Sequence, residues 1–250
     1  MDSLQNYITD SEEEEEGESS TKENTDQRNG KALNRFHHDS HVTSCKFHPS
    51  NCNLFISGCQ NMILSWDVRS PSNPCQKYRY KDRIGQDLLF NTDGDTFFSA
   101  CDELSQDSAD RNIMCWDFKS GVVLSNQIYQ ERYSCTRLKL HPTESHFLAQ
   151  SHGNYIAIFS LNRPYKMTKA KRFEGHKLAG YSIGFDLTPD GASVVSGDAF
   201  GKVYVYNYNT GRNHKTLRTD IDVCMDVSCH PLLPSTFVCC GWDGSIEVWH

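Results

Sequence analysis

The sequence lacks the segments that mark membrane and secreted proteins. None of its apolar runs approaches the roughly 18 residues that a membrane-spanning helix needs. Its N-terminus is acidic and has neither the basic nor the apolar region of a secretory signal. The sequence therefore predicts a soluble intracellular protein that does not have a membrane as a partner.

Common catalytic motifs are also missing. The spacings Gly-x-x-x-x-Gly-Lys-[Ser/Thr], Gly-x-Ser-x-Gly and His-Glu-x-x-His do not occur. Eleven cysteines are present, but their number is odd and none forms a Cys-x-x-Cys pair. Cysteines inside apolar runs, such as Phe237-Val238-Cys239-Cys240, are typical of buried, reduced thiols. We expect a protein without catalytic residues, cofactor or small-molecule substrate.

Histidines and cysteines do cluster near the start of the chain, where imidazole and thiolate could bind zinc. The members are His37, His38, His41, Cys45, His48 and Cys52. However, His48 belongs to a His-Pro pair that recurs at His141-Pro142 and His230-Pro231 without such neighbours. The repeated pair predicts a turn, so we assign no metal ligand.

Charge is distributed unevenly along the chain. Residues 1–31 hold ten acidic and three basic residues, and this excess equals the whole net charge of −7. The pattern predicts a disordered acidic tail over 1–30 and a folded domain over 31–250. The tail is either a solvating segment or a docking segment in which Ser11, Ser19 and Ser20 accept phosphate.

Beyond residue 30, an alternating strand that ends in an aromatic residue recurs five times. The aromatic residues stand 50, 43, 47 and 43 residues apart. This period is close to the roughly 40–45 residues of a four-stranded propeller blade. The positions are Trp66, Trp116, Phe159, Tyr206 and Trp249.

These residues resemble the WD40 repeat family. Trp66-Asp67 and Trp116-Asp117 match its name-giving dipeptide, and Gly175-His176 matches its Gly-His pair. In that family an Asp six residues before the strand-end Trp supports a buried hydrogen-bond network, and Asp110 and Asp243 hold this position here. The resemblance implies an all-β WD40-type β-propeller, with about five blades visible.

The chain is similar to the WD repeat-containing protein 25 family and, less closely, to the spliceosomal pre-mRNA-processing factor 17 family. The runs Gly175 to Tyr181 and Cys240 to Gly244 carry the second resemblance. These families imply a seven-bladed parent, so five repeats predict either a shortened form, which we favour, or a five-bladed ring that closes. They also imply a non-catalytic scaffold, nuclear or nucleocytoplasmic, whose partners are proteins, with spliceosomal proteins as the candidates. A substrate adaptor of a ubiquitin ligase is an alternative. We expect Ala32 to Phe36 to supply the missing outer strand of the last blade.

Two segments could bind partners. Residues 163–177 interleave basic and aromatic residues, which favours contact with RNA or a protein, or a solvated loop before an edge strand. The basic residues are Arg163, Lys166, Lys169, Lys171, Arg172 and Lys177. The acidic insertion 102–110 could contact a partner, hold a cation for catalysis, or be a solvated loop.

Overall fold

The computed structural model describes residues 34–102 and 112–250, and these fold as antiparallel β-strands joined by turns. No helix occurs in these two ranges, so none of their segments is a helix that could cross a bilayer. The strands are β1 Val42–Phe47, β2 Leu54–Asp67, β3 Gln76–Phe90, β4 Thr96–Asp102, β5 Ile113–Asp117, β6 Val123–Ser125, β7 Cys135–Leu140, β8 His146–Ser151, β9 Tyr155–Ser160, β10 Met167–Glu174, β11 Phe185–Leu187, β12 Ser193–Ser196, β13 Lys202–Asn207, β14 Asn213–Arg218, β15 Cys224–Cys229, β16 Phe237–Gly241 and β17 Ile246–Trp249.

The sheets correspond to five blades. The first two blades share one sheet, ordered β1-β2-β3-β4-β5-β6, and the others are β10-β9-β8-β7, β11-β12-β13-β14 and β15-β16-β17. Strand β2 supplies two strands of blade one because it turns back at Asn61, whose φ of 66° is left-handed. Its first half pairs with β1 and its second half pairs with the start of β3. The rest of β3 pairs with β4 and so opens blade two.

The strand-end aromatic residues hold the same register in successive blades. Phe97 pairs with Trp116 and Phe147 pairs with Phe159 in the second and third blades. Phe237 pairs with Trp249 in the last blade, and the two rings stack at 6.4 Å. The all-β, WD40-type blade architecture predicted from the repeat is therefore confirmed.

Each of the first four blades buries one face against the blade that follows. The position three residues before the strand-end aromatic shows this most clearly, because its side chain is fully buried in all four blades: Ile63, Ile113, Ile156 and Val203 each expose 0%. These side chains belong to four separate apolar clusters, each of which includes residues of the next blade. Burial of apolar surface between neighbouring sheets is therefore the main stabilising contribution in this stack.

The equivalent face of the last blade is exposed. Ile246 and Val248 expose 72% and 70% of their surface, and Val238 on the neighbouring strand exposes 38%. The opposite face of the same sheet carries Phe237 and Cys239, which pack against blade four. The last blade thus has one covered and one uncovered apolar face.

Two of the three His-Pro turns, at His48 and His141, prove to be junctions between blades. In each turn the imidazole Nδ1 accepts backbone N–H groups from two and three residues further on, as His141 does from Thr143 and Glu144 at 3.3 and 3.0 Å. The ring of His141 then reaches the next blade, where its Nε2 lies 3.1 Å from the carbonyl oxygen of Gly191. A Cβ at Gly191 would stand 2.4 Å from that ring, and its φ of 71° also favours glycine. A Cβ at Gly94 of blade two would likewise stand 2.3 Å from the ring of His48.

The segment before β1 covers the first blade instead of completing the last one. Asn34 to Phe36 form no strand, so the prediction that Ala32 to Phe36 pair with β17 is wrong for these three residues. The ring of Phe36 packs edge-on against Phe55 and Trp66 at 4.9 and 5.2 Å. Burial of the Phe36 ring against these aromatic residues holds the segment before β1 on the first blade.

Four predictions fall outside the described residues. Residues 1–33 include the acidic tail and its boundary at residue 30, and residues 103–111 include most of the acidic insertion and Asp110. The domain boundary, the acidic tail, the insertion and the network role of Asp110 remain predictions.

Candidate interaction surface

The strand-end tryptophans of the first two blades are buried and held by serine hydroxyls. The indole Nε1 of Trp66 donates to Ser57 Oγ at 2.8 Å, and that of Trp116 donates to Ser99 Oγ at 2.9 Å. Ser57 Oγ also lies 2.6 Å from Nε2 of His38. Each tryptophan exposes 2% of its surface. Buried N–H groups need such partners, so these bonds fix the third strand of each blade.

The aspartates of the two Trp-Asp pairs cap turns. Asp67 accepts bonds from the backbone N–H and the guanidinium of Arg69, which lower the pKa of its carboxyl to about 2. Asp117 accepts bonds from the hydroxyl and backbone N–H of Ser120 at 2.5 and 2.7 Å, which lower its pKa as well. Both carboxylates lie at the surface, where they end a strand and start the turn.

Gly175-His176 opens a buried polar network between blades three and four. The φ of Gly175 is 117°, a conformation that glycine adopts readily. His176 is fully buried, with Nδ1 2.8 Å from the hydroxyl of Tyr206 and Nε2 3.2 Å from the side-chain nitrogen of Gln150. Both ring nitrogens of His176 therefore have a polar partner inside this interface. Burial, helped by the charge of Lys177, lowers the pKa of His176 to about 4.

Asp243 departs from the role that the repeat pattern implies. It lies at the surface and accepts bonds from the backbone and hydroxyl of Ser245 at 3.1 and 2.7 Å. The buried network expected at this position is therefore not formed by Asp243, because its carboxylate caps the turn before β17. Trp249 contributes to the core by packing in the cluster shared by blades four and five.

Two buried aspartates that the repeat pattern did not single out connect neighbouring blades. Asp87 accepts bonds from Ser44 of blade one at 2.7 Å and from the backbone N–H of Leu138 in blade three at 2.8 Å. Asp198 exposes 1% of its surface and accepts bonds from the backbone N–H of Lys177 and of Phe200 at 2.8 and 2.6 Å. One sequence signal points to Asp87. An Asp recurs at the same place in the first strand of the last blade, as Asp226 of β15.

Half of the predicted basic contact residues are engaged within the protein. The guanidinium of Arg172 binds the carboxylate of Glu131 and lies over the ring of Tyr155 at 4.5 Å. The ammonium of Lys171 lies 4.2 Å from the centre of the Tyr208 ring. Arg163 is exposed, and a hydrogen bond to Tyr165 raises the pKa of its guanidinium.

The other three basic side chains are exposed. Lys166 and Lys169 line a groove between blades two and three, whereas Lys177 lies on the loop after β10. Residues 163–177 thus do not form one continuous cationic strip. The structure brings Lys166 and Lys169 together and directs Lys171, Arg172 and Lys177 elsewhere.

The early His/Cys residues are dispersed. His38 lies 3.2 Å from Cys59 and bonds Ser57, while His48 sits in its turn with Nδ1 near the backbone N–H groups of Ser50 and Asn51. Cys45 and Cys52 are exposed. Among residues 34–102 and 112–250, no three His, Cys, Asp or Glu side chains gather as metal ligands would.

Comparison with known proteins gives the same repeat. Residues 30–67 match the family model described as WD domain, G-beta repeat. The chain is 41% identical over 213 residues to WD repeat-containing protein 25 of Mus musculus, covering 85% of this chain and 40% of that protein.

Pre-mRNA-processing factor 17 is similar at lower identity. The human protein is 28% identical over 227 residues, covering 90% of this chain and 38% of its own length. The Saccharomyces cerevisiae protein is 30% identical over 227 residues, covering 89% and 48%. The chain thus spans less than half the length of these relatives. The chain thus contains a WD40 repeat at residues 30–67, and its described sheets have the arrangement of WD40-type blades.

Proposed function

We propose that the protein is a non-catalytic scaffold that binds other proteins in nuclear complexes near pre-mRNA splicing. The observation that carries this proposal is the alignment with pre-mRNA-processing factor 17, which extends over 90% and 89% of this chain in the human and yeast comparisons. The identity of the partners is part of the proposal, because a shared fold does not by itself transfer a function.

The architecture suits a scaffold. Sheets packed face to face hold the turns at their edges in fixed positions, and rigid loops of this kind bind partners without a large ordering cost. The blades are joined at several levels, by apolar clusters, by Asp87 and by the His-Gly junctions. Partners that contact different blades would therefore be held at a constant separation.

An RNA-binding role through residues 163–177 has weaker support. Lys171 and Arg172 are already engaged with Tyr208 and Glu131. A basic strip that tracks a nucleic-acid backbone needs several free cations in line, together with accessible aromatic faces. The adaptor of a ubiquitin ligase differs from a splicing scaffold only in its partners, so the same experiment separates the two.

The test is recovery of partners by the tagged chain from nuclear extract, with and without RNase, followed by mass spectrometry. We expect spliceosomal proteins to be recovered and to resist RNase, because the contacts are between proteins. An Ile156→Asp variant, which places a charge in the interface of blades three and four, serves as the misfolded control.

Each outcome decides between the readings. Recovery that is lost on RNase treatment would make RNA the direct ligand. Ubiquitin-ligase subunits in place of splicing proteins would support the adaptor. If the wild-type chain and the Ile156→Asp control recover the same chaperones and nothing else, the scaffold proposal is wrong.

A further inference from the structure

A groove separates the outer parts of blades two and three. Its volume is about 610 Å³, within the range of roughly 300–1,000 Å³ typical of ligand sites. One wall is the loop after β6, which includes Gln127, Ile128 and Gln130. The other wall is the turn before β10 and the start of that strand, from Pro164 to Lys169.

The floor of the groove is apolar and fixed in place. Ile128 and Tyr165 expose 6% and 4% of their surface and belong to the core cluster shared by blades two and three. The ring of Tyr165 packs edge-on against Phe98 at 5.3 Å, and its backbone N–H donates to the carbonyl of Asn162 at 2.8 Å. A wall anchored in the core needs little reordering when a ligand binds.

Two lysines, Lys166 and Lys169, form a cationic rim along the groove, and an irregularity in β10 places Lys169 there. Met167 pairs with Phe159, but the next paired residue, Arg172, faces Ala157. More residues lie between the pairs on β10 than on β9, so the intervening segment leaves the ladder. Bulges re-aim side chains, and this one leaves Lys169 exposed beside the groove.

The charge at the rim is unbalanced. Lys166 and Lys169 are exposed and form no salt bridge with a described residue. The carboxylate that lines the groove, Glu131, is bound by Arg172. The groove therefore presents two free ammonium groups, whereas its carboxylate is already neutralised by an internal partner.

We propose that this groove binds a short extended segment of a partner protein, in which an apolar side chain is flanked by acidic residues. The apolar side chain would cover Ile128 and Tyr165, and the carboxylates would pair with Lys166 and Lys169. The amide side chains of Gln127 and Gln130 could bond its backbone. The inference rests on the proposed scaffold function and names one of its docking surfaces. RNA fits less well, because the one aromatic ring lining the groove is buried and offers no face for stacking.

The experiment selects ligands from a random-peptide phage library on the purified chain and measures the enriched peptide by fluorescence anisotropy. We expect motifs with an apolar residue between acidic residues. The groove variant carries Lys166→Glu and Lys169→Glu and should bind the enriched peptide about tenfold or more weakly, since two charge-assisted contacts become repulsive.

A matched control carries the same charge change on another outer strand. Lys215→Glu with Arg218→Glu alters two exposed residues of β14, in the next blade, and should leave the affinity unchanged. A peptide with glutamine in place of each acidic residue should lose binding to the wild-type chain. Equal losses of peptide affinity in both double variants would mean that the peptide responds only to the overall charge of the chain, and would overturn the inference.

Three further outcomes would also overturn it. These are the absence of any enriched motif, motifs that lack acidic residues, and tighter binding of a short oligouridylate that the groove variant abolishes. Recovery of partners from nuclear extract by the groove variant distinguishes failure of the groove proposal from failure of the scaffold proposal. If the groove variant recovers partners as well as the wild type and the peptide test fails, the scaffold function is retained and the groove is not a docking site.

Discussion

The third and the last blades carry the same residue type at the same repeat position, with opposite results. Ile156 and Ile246 both stand three residues before a strand-end aromatic, yet Ile156 exposes 0% and Ile246 exposes 72% of its surface. In both strands an aliphatic residue, Ile158 or Val248, follows two positions later on the same face. The difference lies in the neighbour, because blade four covers Ile156 and no described residue covers Ile246 to a similar degree. Periodicity thus identifies the face of a strand, whereas a neighbouring sheet decides whether that face is core.

The largest expected effect contrasts these two isoleucines directly. Ile156→Ala should lower the free energy of unfolding by about 2–5 kcal/mol, since it removes buried methylenes and leaves a cavity. Ile246→Ala should change it by less than about 0.5 kcal/mol, because the side chain is exposed. Urea unfolding followed by tryptophan fluorescence measures both. Similar losses in the two variants would mean that Ile246 is covered in solution.

The buried interface of blades three and four should also make stability depend on pH. The pKa of His176 is lowered to about 4 in the folded chain, from 6.5. The unfolded chain therefore binds the proton first, so the contribution is complete above about pH 6.5 and is lost as the pH falls towards 4. The loss should reach about 3 kcal/mol.

Unfolding by urea at several pH values tests this with His176→Gln as the comparison. The variant should be less stable at neutral pH but should show a shallower decline in acid. A decline as steep as that of the wild type would assign the acid sensitivity to other groups.

Asp87 and Asp226 extend the comparison of a covered blade with the last blade to the first strand of each blade. Asp87→Ala should cost about 1–3 kcal/mol, because it leaves the N–H of Leu138 and the hydroxyl of Ser44 without their acceptor. Asp226 holds the equivalent place in the last blade and bonds the N–H of Val227 at 2.9 Å. Asp226→Ala should cost less, since its carboxylate is exposed. Equal costs in thermal or urea unfolding would refute an inter-blade role for Asp87.

Thiol reactivity gives the smallest and most local effect. Cys45, Cys52 and Cys75 are exposed and should react first with a thiol reagent. Among the buried thiols, Cys239 of the last blade should be modified before Cys135, because a blade with one covered face opens at lower free energy. Mass spectrometry of pulse-labelled protein in sub-denaturing urea measures the order. Simultaneous labelling of the two would indicate a single cooperative unit.

The strands could be predicted from the sequence because the repeat marks them locally. Alternation up to Trp66, Trp116 and Trp249 gave the third strand of three blades, and the His-Pro pairs gave the turns after the inner strands. The polar contacts could not be predicted in the same way. Asp87 and Leu138 are 51 residues apart, and their bond exists only once blades two and three are packed.

The candidate surface was predicted in outline only. Counting basic residues placed Lys169 and Arg172 in one segment, but the bulge in β10 separates their surroundings. Arg172 turns to Glu131 and Tyr155, whereas Lys169 faces the groove. Similarly, Asp243 matches the family position by number, while its local turn with Ser245 keeps it at the surface. The spacing of residues in a sequence predicts neither a β-bulge nor a local hydrogen bond that competes with the expected one.

The alternation of histidine and glycine turns has a consequence for how this chain can be cut or extended. Blades one, three and five end their inner strands with His-Pro. Blades two and four have Asn91 and Thr188 in the place of the histidine and set Gly94 and Gly191, three residues further on, against the ring of the preceding blade. The interchangeable module is therefore a pair of blades. Removing a single inner repeat would set a residue with a side chain, such as Glu144 against the ring of His48, where the fold now has glycine, whereas removing or duplicating two would preserve every ring-on-glycine junction.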